Sequence, residues 1–575
     1  MDELLSIKNL SVSFTQDGEV NEAVKNISIE VNKNEIIAIV GESGSGKSVT
    51  ALSILQLLPK QTTVSGQIVF NHAGHTIDFT KLTSKEISAY RGNAVSMIFQ
   101  EPMTSLNPVF TCGQQVMEVL QLHKKISKEE AKQQTIKLFE KVKLPNPSTI
   151  INRYPHELSG GQKQRVMIAM AICCNPSLLI ADEPTTALDV TVQKTILELL
   201  KELQVQNQLS IILITHDLDL VADVADKIVV LYKGELIEKG TTRSILKNPQ
   251  HWYTKALLAC RPVANAKGSR LPVVADFIES GMVSDQSSVI SHQSPINPHH
   301  SPLTTQHSCF SPILTVENLS VHFEEKKKLF IKPKIFKAVD NVTFTVFKGE
   351  TIGLVGESGC GKTTLGRAIL QLVPTTSGKI ILNGKDMTTL SPKILRESRK
   401  DLQIVFQDPY GSLNPRLSIG EAILEPLNVH SILKNKNERK EKVMELLQKV
   451  NLNPDQFNRY PHQFSGGQRQ RICIARALAL NPNFLIFDES VSALDISVQA
   501  QVLNLLSDLK SEFNFTSIFI SHDLSVVHYI SDRIMVMHHG KIVEQGKADE
   551  VYFNPKEPYT QKLIEAIPGK KLVTT

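Results

Sequence analysis

The feature that most constrains this chain is that much of it is written twice. Val40-Gly41-Glu42-Ser43-Gly44-Ser45-Gly46-Lys47-Ser48 returns as Val355-Gly356-Glu357-Ser358-Gly359-Cys360-Gly361-Lys362-Thr363, followed by Thr364. Leu158-Ser159-Gly160-Gly161-Gln162 returns as Phe464-Ser465-Gly466-Gly467-Gln468, and Asp182-Glu183 returns as Asp488-Glu489. The offset is 315 residues from Lys47 to Lys362, 307 from Gln100 to Gln407, and 306 at Ser159, Glu183, Asp189 and His216. So steady an offset is an internal duplication, which predicts two copies of one architecture. A chain of 575 residues has room for two such halves of about 260 residues, each able to bury a core.

The stretch between the copies differs in character. Gly281 to Pro312 is rich in Ser, Pro, Gln, Asn and His and carries one charged residue, Asp285. It buries too little apolar surface to offset its ordering entropy, which predicts a flexible linker. Its histidines (His292, His299, His300, His307) and Cys309 show no repeating ligand spacing, so a polar tether is the better reading than a metal tract. The expected domains are residues 1–262 and 313–575, with 263–312 as the linker.

Within each half the elements alternate. Ile36–Val40 reads as a buried strand, and a glycine-rich turn then opens a helix at Lys47. Ser177–Ala181 and Ile211–Ile214 are further apolar runs, separated by a helical stretch around Val190–Val205. Strand, helix, strand in succession predicts an α/β fold, with a mostly parallel sheet flanked by helices.

Other classes fall away on simple grounds. A net charge of +5 over this length does not argue for nucleic acid as a partner. The seven cysteines (Cys112, Cys173, Cys174, Cys260, Cys309, Cys360, Cys473) contain no CxxC pair and suit a reducing compartment. No stretch approaches the roughly 18 apolar residues of a membrane helix, and Met1–Leu10 lacks the pattern of a signal peptide. Any membrane part is expected to come from other chains.

Gly41-x-x-x-x-Gly46-Lys47-Ser48 fits the phosphate-loop pattern and sits where that pattern must, between a strand and a helix. Its glycines let successive backbone N–H groups turn toward phosphate oxygens, and the helix start favours the anion. Lys47 would neutralise phosphate charge and Ser48 would ligate Mg²⁺. Gly356, Gly361, Lys362 and Thr363 repeat the apparatus. Cys360 is read as a tolerated small residue rather than a redox thiol. Asp182-Glu183 and Asp488-Glu489 each close an apolar run, where ligands collect in parallel sheets. One carboxylate would hold the Mg²⁺ shell and the next would polarise the attacking water.

Leu158-Ser159-Gly160-Gly161-Gln162, ahead of the acidic strand, resembles the signature of ATP-binding-cassette (ABC) ATPases. Gln100 and Gln407 resemble that family's Q-loop glutamine, Ala187-Leu188-Asp189 and Ala493-Leu494-Asp495 its D-loop, and His216 and His522 its switch histidine. The resemblance implies two tandem P-loop NTPase cassettes. Each has a mostly parallel sheet core, a helical signature subdomain and an N-terminal antiparallel β subdomain. It implies ATP and Mg²⁺ as cofactors, and head-to-tail pairing of the two cassettes within the chain. One site would use the loop Gly41 to Ser48, Gln100, Asp182, Glu183 and His216 with Ser465, Gly466, Gly467 and Gln468. The other would use Gly356 to Thr364, including Glu357, Ser358, Gly359 and Cys360, with Gln407, Asp488, Glu489 and His522, and Ser159, Gly160, Gly161 and Gln162. The metal would lie on Ser48, Gln100 and Asp182, and on Thr363, Gln407 and Asp488. Phe14 and Phe323 would stack on adenine. Because Glu183 and Glu489 are both present, both sites are expected to be competent, despite Phe464 in place of a signature leucine and Ser490 in place of Pro184.

Gln100-Glu101-Pro102-Met103-Thr104-Ser105-Leu106-Asn107-Pro108 and Gln407-Asp408-Pro409-Tyr410-Gly411-Ser412-Leu413-Asn414-Pro415 are similar to the Q-loop of the dipeptide, oligopeptide and nickel importer subfamily. So are Arg153-Tyr154-Pro155-His156, its copy at Arg459, and the tails Trp252-Tyr253-Thr254 and Pro558-Tyr559-Thr560. The chain also resembles the fused two-cassette members, some of which import glutathione or other peptides. That implies two integral-membrane permeases, an extracytoplasmic solute-binding protein acting indirectly, and a peripheral place on the cytoplasmic face of a bacterial inner membrane. The rival is a soluble double-cassette ATPase acting on the ribosome, but such proteins carry a charged helical linker and lack the S-L-N-P pattern.

Overall fold

Ile36–Val40, Leu178–Asp182 and Ser210–Thr215 are buried along their whole length. A strand without a polar face can only sit inside a sheet covered on both sides, which is how parallel sheets occur. In the computed structural model, which describes residues 3–16, 19–100, 105–186, 188–281, 311–324, 335–492 and 494–567, these three are central strands.

The first unit runs through Ala259. Its strands are β1 (Glu3–Gln16), β2 (Glu19–Asn32), β3 (Ile36–Val40), β4 (Thr62–His72), β5 (His75–Asp78), β6 (Val95–Ile98), β7 (Leu178–Asp182), β8 (Ser210–Thr215), β9 (Lys227–Tyr232) and β10 (Glu235–Thr241). The central sheet has the order β10-β9-β3-β8-β7-β6 and a second, antiparallel sheet the order β2-β1-β4-β5. In the central sheet every pairing is parallel except that of the edge strand β10 with β9. Leu5, Ile7, Ile29, Phe70 and Phe79 of the antiparallel layer share one core with Ile37, Ile39, Ile180 and Ile212. Between β6 and β7 lie helices Cys112–Lys124, Lys128–Lys141 and Gly160–Ile172.

The second unit covers Cys260–Leu494 and Val498–Ile567. Its strands are β11 (Pro312–Glu324), β12 (Ile335–Phe347), β13 (Thr351–Val355), β14 (Ser377–Leu382), β15 (Lys385–Asp386), β16 (Leu402–Val405), β17 (Phe484–Asp488), β18 (Thr516–Ser521), β19 (Arg533–His538) and β20 (Lys541–Lys547). The orders β16-β17-β18-β13-β19-β20 and β12-β11-β14-β15 repeat the first unit strand for strand. Helices Ile419–Val429, Lys436–Lys449 and Gly466–Leu478 repeat its helical part. The duplication read from the sequence is therefore a duplication of topology.

Residues 263–281, the first part of the expected linker, are structured here. Pro262–Ala264 forms a short 3₁₀ turn and Val274–Gly281 a helix. Leu271 is buried, its N–H donates to Asn504 Oδ1 at 2.9 Å, and Asn504 Nδ2 donates back to its carbonyl at 2.8 Å. Tyr529 Oη donates to the Ser269 carbonyl at 2.6 Å. The linker histidines and Cys309, residues 101–104, Ala187 and Ala493 lie outside the described residues. No helix among the described residues is long and apolar enough to cross a membrane.

Candidate active sites

Each phosphate loop joins the central strand of its sheet to a helix, Lys47–Ile54 in the first unit and Lys362–Ile369 in the second. Gly46 and Gly361, which cap those helices, have φ of +96° and +110°, a region that costs any other L-residue strain. Lys47 is buried, and its Nζ donates to the carbonyls of Gly41 at 2.7 Å and Glu42 at 2.9 Å. Lys362 does the same to Gly356 at 2.7 Å and Glu357 at 3.0 Å. Burial lowers the Lys47 pKa from its ordinary value, although Glu183 and Asp182 pull the other way. The lysine thus bridges its own loop, a conformation ready to exchange carbonyls for phosphate oxygens.

The acidic pairs close β7 and β17. Ser48 Oγ donates to Asp182 Oδ1 at 3.0 Å, and Thr363 Oγ1 to Asp488 Oδ1 at 2.9 Å. Burial pushes the Asp182 carboxyl up to about 6, with the Ser48 bond opposing, and raises Asp488 likewise. These hydroxyl and carboxylate oxygens are the hard donors that suit Mg²⁺.

The neighbouring glutamates behave differently. Gln100 Nε2 donates to Glu183 Oε2 at 3.0 Å, Thr186 Oγ1 donates to the same oxygen at 2.8 Å, and His216 Nδ1 lies 3.5 Å from Oε1. In the second unit Gln407 Nε2 is 2.8 Å from Glu489 Oε2 and His522 Nδ1 is 3.7 Å away. Burial works against ionisation of Glu183, but the His216 bond and charge outweigh it and hold the carboxyl down to about 2. His216 shifts upward in return, against the effect of its burial. Each strand end therefore carries a glutamate held in its charged form, suited to polarising water, beside an aspartate whose oxygen accepts from the phosphate-loop hydroxyl. Glu183 and Glu489 also hold φ of +45° and +47°, rare for non-glycine residues and frequent where a site fixes a side chain.

The signature serines open helices. Ser159 and Gln162 cap each other reciprocally, with Gln162 N at 3.4 Å from Ser159 Oγ and Ser159 N at 3.1 Å from Gln162 Oε1. Ser465 and Gln468 repeat this at 3.4 and 3.0 Å. A Cβ on Gly161 would stand 2.7 Å from Val192 Cγ1, and on Gly467 2.2 Å from Val498 Cγ1. Glycine is required there because these helix starts press against the helix that follows each acidic strand. Phe14 packs partly buried against the first unit's core, whereas Phe323 is 44% exposed.

Two tyrosines stand in this machinery without having been read as part of it. Glu42 N–H donates to Tyr253 Oη at 3.1 Å, and Glu357 N–H to Tyr559 Oη at 3.1 Å. Tyr253 is fully buried, its ring 4.3 Å from that of Tyr232; Tyr559 stacks on His538 at 3.9 Å. Each thus ties the second residue of a phosphate loop to the C-terminal helix of its cassette. The repeated tail motifs signalled the tyrosines; only the fold shows what they touch. Tyr253→Phe is expected to weaken ATP binding at the first cassette about fivefold, the worth of one hydrogen bond of about 1 kcal/mol. The same lost bond should lower the melting temperature by about 2–4 °C, and a nucleotide titration beside a thermal melt reads both effects.

A profile of the ABC transporter family matches residues 24–186 and 339–492, which hold the phosphate loops, signatures and acidic strands of both units. The chain belongs to the ABC transporter family. A second profile, the C-terminal region of oligopeptide/dipeptide transporters, matches residues 237–276 and 543–571, the parts that contain Tyr253 and Tyr559. Glutathione import ATP-binding protein GsiA of Escherichia coli (strain K12) is 46% identical over 570 residues, covering 98% of this chain and 89% of GsiA. The GsiA of Shigella sonnei (strain Ss046) matches equally. A solved dimeric ATP-binding cassette in a post-hydrolysis state, bound to ADP and Pi, aligns with a TM-score of 0.38 and 29% identity over 41% of this chain and 98% of that one. This ABC protein is an ATPase of two repeated cassettes, and it binds ATP.

Proposed function

We propose that this ABC protein energises import of a peptide-like solute through two separate integral-membrane permeases. It would sit at the cytoplasmic face of a bacterial inner membrane and be served indirectly by a solute-binding protein. The observation that carries this reading is the 46% identity, over 98% of the chain, to proteins named as glutathione import ATP-binding subunits. Glutathione is accordingly the first solute to test, with other di- and oligopeptides and nickel complexes behind it. The exposed apolar side chains beside the Q-loop segments, Val109, Phe110 and Tyr410, support a docking role for that region.

The cassettes are taken as residues 1–262 and 313–575 with 263–312 joining them, and they pair within the chain. In this reading Lys47 and Lys362 leave their loop carbonyls for phosphate oxygens, and the N–H groups of the loop and of the signature helix start receive the remaining charge. Glu183 and Glu489 orient and polarise the attacking water, while His216 and His522 hold those carboxylates in place. Gln100 and Gln407 report the site to the docking surface, and Phe14 and Phe323 lie against adenine. Mg²⁺, where bound, would rest on Ser48, Gln100 and Asp182, or Thr363, Gln407 and Asp488, and supply charge neutralisation at the phosphates.

The test is to tag the chain, extract membranes in mild detergent and identify what co-purifies. Two multi-span proteins are expected. Ribosomal proteins in a soluble fraction, with no multi-span partner, would overturn the transport reading and leave the ATPase chemistry standing.

A further inference from the structure

Cys173 and Cys174 occupy the turn directly after the signature helix Gly160–Ile172, four residues before β7 begins. Their Sγ atoms are 3.8 Å apart, within thiol hydrogen-bond reach. Cys173 is buried, whereas Cys174 is the one described cysteine that is not. The corresponding positions of the second cassette are Ala479 and Leu480, so the pair is peculiar to the first. The contact between the two thiols lowers the Cys174 pKa against the effect of its burial, and Lys124, ending the helix Cys112–Lys124, adds positive charge. Burial instead pushes the Cys112 and Cys473 thiols up to about 11. A partly exposed thiol 3.8 Å from a buried second thiol is the arrangement of an attacking and a resolving cysteine.

We propose that Cys173–Cys174 is a thiol-modification site that reacts with low-molecular-weight disulfides and slows ATP turnover at the first cassette. The Cys174 thiolate attacks one sulfur of the disulfide, forming a mixed disulfide and expelling one thiolate, which takes up a proton. Cys173, giving up its own proton, then attacks Cys174 Sγ, closes a Cys173–Cys174 bond and expels the second thiol. One disulfide is reduced to two thiols as the two cysteines are oxidised. Adjacent Cα atoms are about 3.8 Å apart across a trans peptide, short of the usual 4.4–6.8 Å span of a disulfide, so closure must move the backbone of this turn. Asn175 N–H holds the Ile172 carbonyl at 2.9 Å, and Ser177 N–H holds that of Ala94 at 2.9 Å. Movement there reaches the signature helix on one side and, through β7, Asp182 and Glu183 on the other.

The purified full chain is treated with bis(2-hydroxyethyl) disulfide and mapped by peptide mass spectrometry while ATP turnover is followed. Cys174 is expected to react about tenfold faster than Cys112, Cys260, Cys360 or Cys473, and the product to be the Cys173–Cys174 disulfide. Cys173→Ser should trap the mixed disulfide on Cys174. Turnover should fall about threefold, an effect reversed by dithiothreitol and missing in Cys174→Ser. Phenylarsine oxide, whose arsenic bridges two thiols with loss of water, should bind the untreated chain once at this turn and not bind Cys173→Ser there. The proposal is overturned if Cys112, Cys260, Cys360 or Cys473 reacts first, if the mixed disulfide on the unaltered chain never resolves, or if turnover is unchanged once the pair is oxidised.

Discussion

Replacing both glutamates, Glu183→Gln and Glu489→Gln, is expected to lower ATP turnover by about a thousandfold, while each single variant keeps measurable activity from the untouched site. The amide is nearly isosteric, so the positions held by Gln100 and Thr186 at Glu183, and by Gln407 at Glu489, need not collapse. What goes is the negative charge. It holds His216, and it is the one group at the end of β7 kept strongly ionised. Removing a general base costs about 10²–10⁴ in rate, and the middle of that range sets the expectation. Steady-state phosphate release from the three variants decides it. Two competent sites are ruled out if Glu183→Gln alone abolishes hydrolysis and Glu489→Gln leaves it untouched.

Gly46→Ala should lower nucleotide affinity at the first cassette by about a hundredfold, whereas Gly44→Ala should lower it by only about tenfold. Both glycines have positive φ, +96° and +81°, so both substitutions carry the left-handed cost of roughly 1–2 kcal/mol. They differ in space. A Cβ on Gly46 would meet the Ala23 carbonyl oxygen at 2.6 Å, while one on Gly44 would meet nothing within 4 Å. Because the obstacle is backbone of β2, the loop must give way, and Lys47 and Ser48 move with it. A further 1–3 kcal/mol of local strain brings the loss to about 3 kcal/mol, or a hundredfold. Binding of a fluorescent ATP analogue, measured with Lys362→Ala silencing the second cassette, tests the contrast. Equal affinities in the two variants would show that the clash is not felt.

Much of this protein was legible because its informative residues are contiguous. A phosphate loop is eight consecutive residues whose glycines, lysine and hydroxyl act through local backbone geometry, and a buried parallel strand announces itself as five apolar residues in a row. Ile36–Val40 and the helix opening at Lys47 accordingly lie where the sequence places them. Repetition at a near-constant offset then turned two halves into one architecture, and strand order agrees in both.

The rest depended on partners far apart in the chain. Tyr253 and Tyr559 reach Glu42 and Glu357 across about two hundred residues, and no local pattern states which backbone N–H a buried phenol will accept. The sequence places residues 263–281 in the linker, yet Leu271 is buried and Asn504 offers both a donor and an acceptor to its peptide group. The first cassette carries Glu198 at the position matching Asn504, and a carboxylate cannot donate to a carbonyl. Sequence determined the chemistry of the sites, since that resides in residue types at fixed spacing. Tertiary structure alone decided which carboxylate of each pair stays charged and what braces the loops, because burial and hydrogen-bond partners belong to the folded chain.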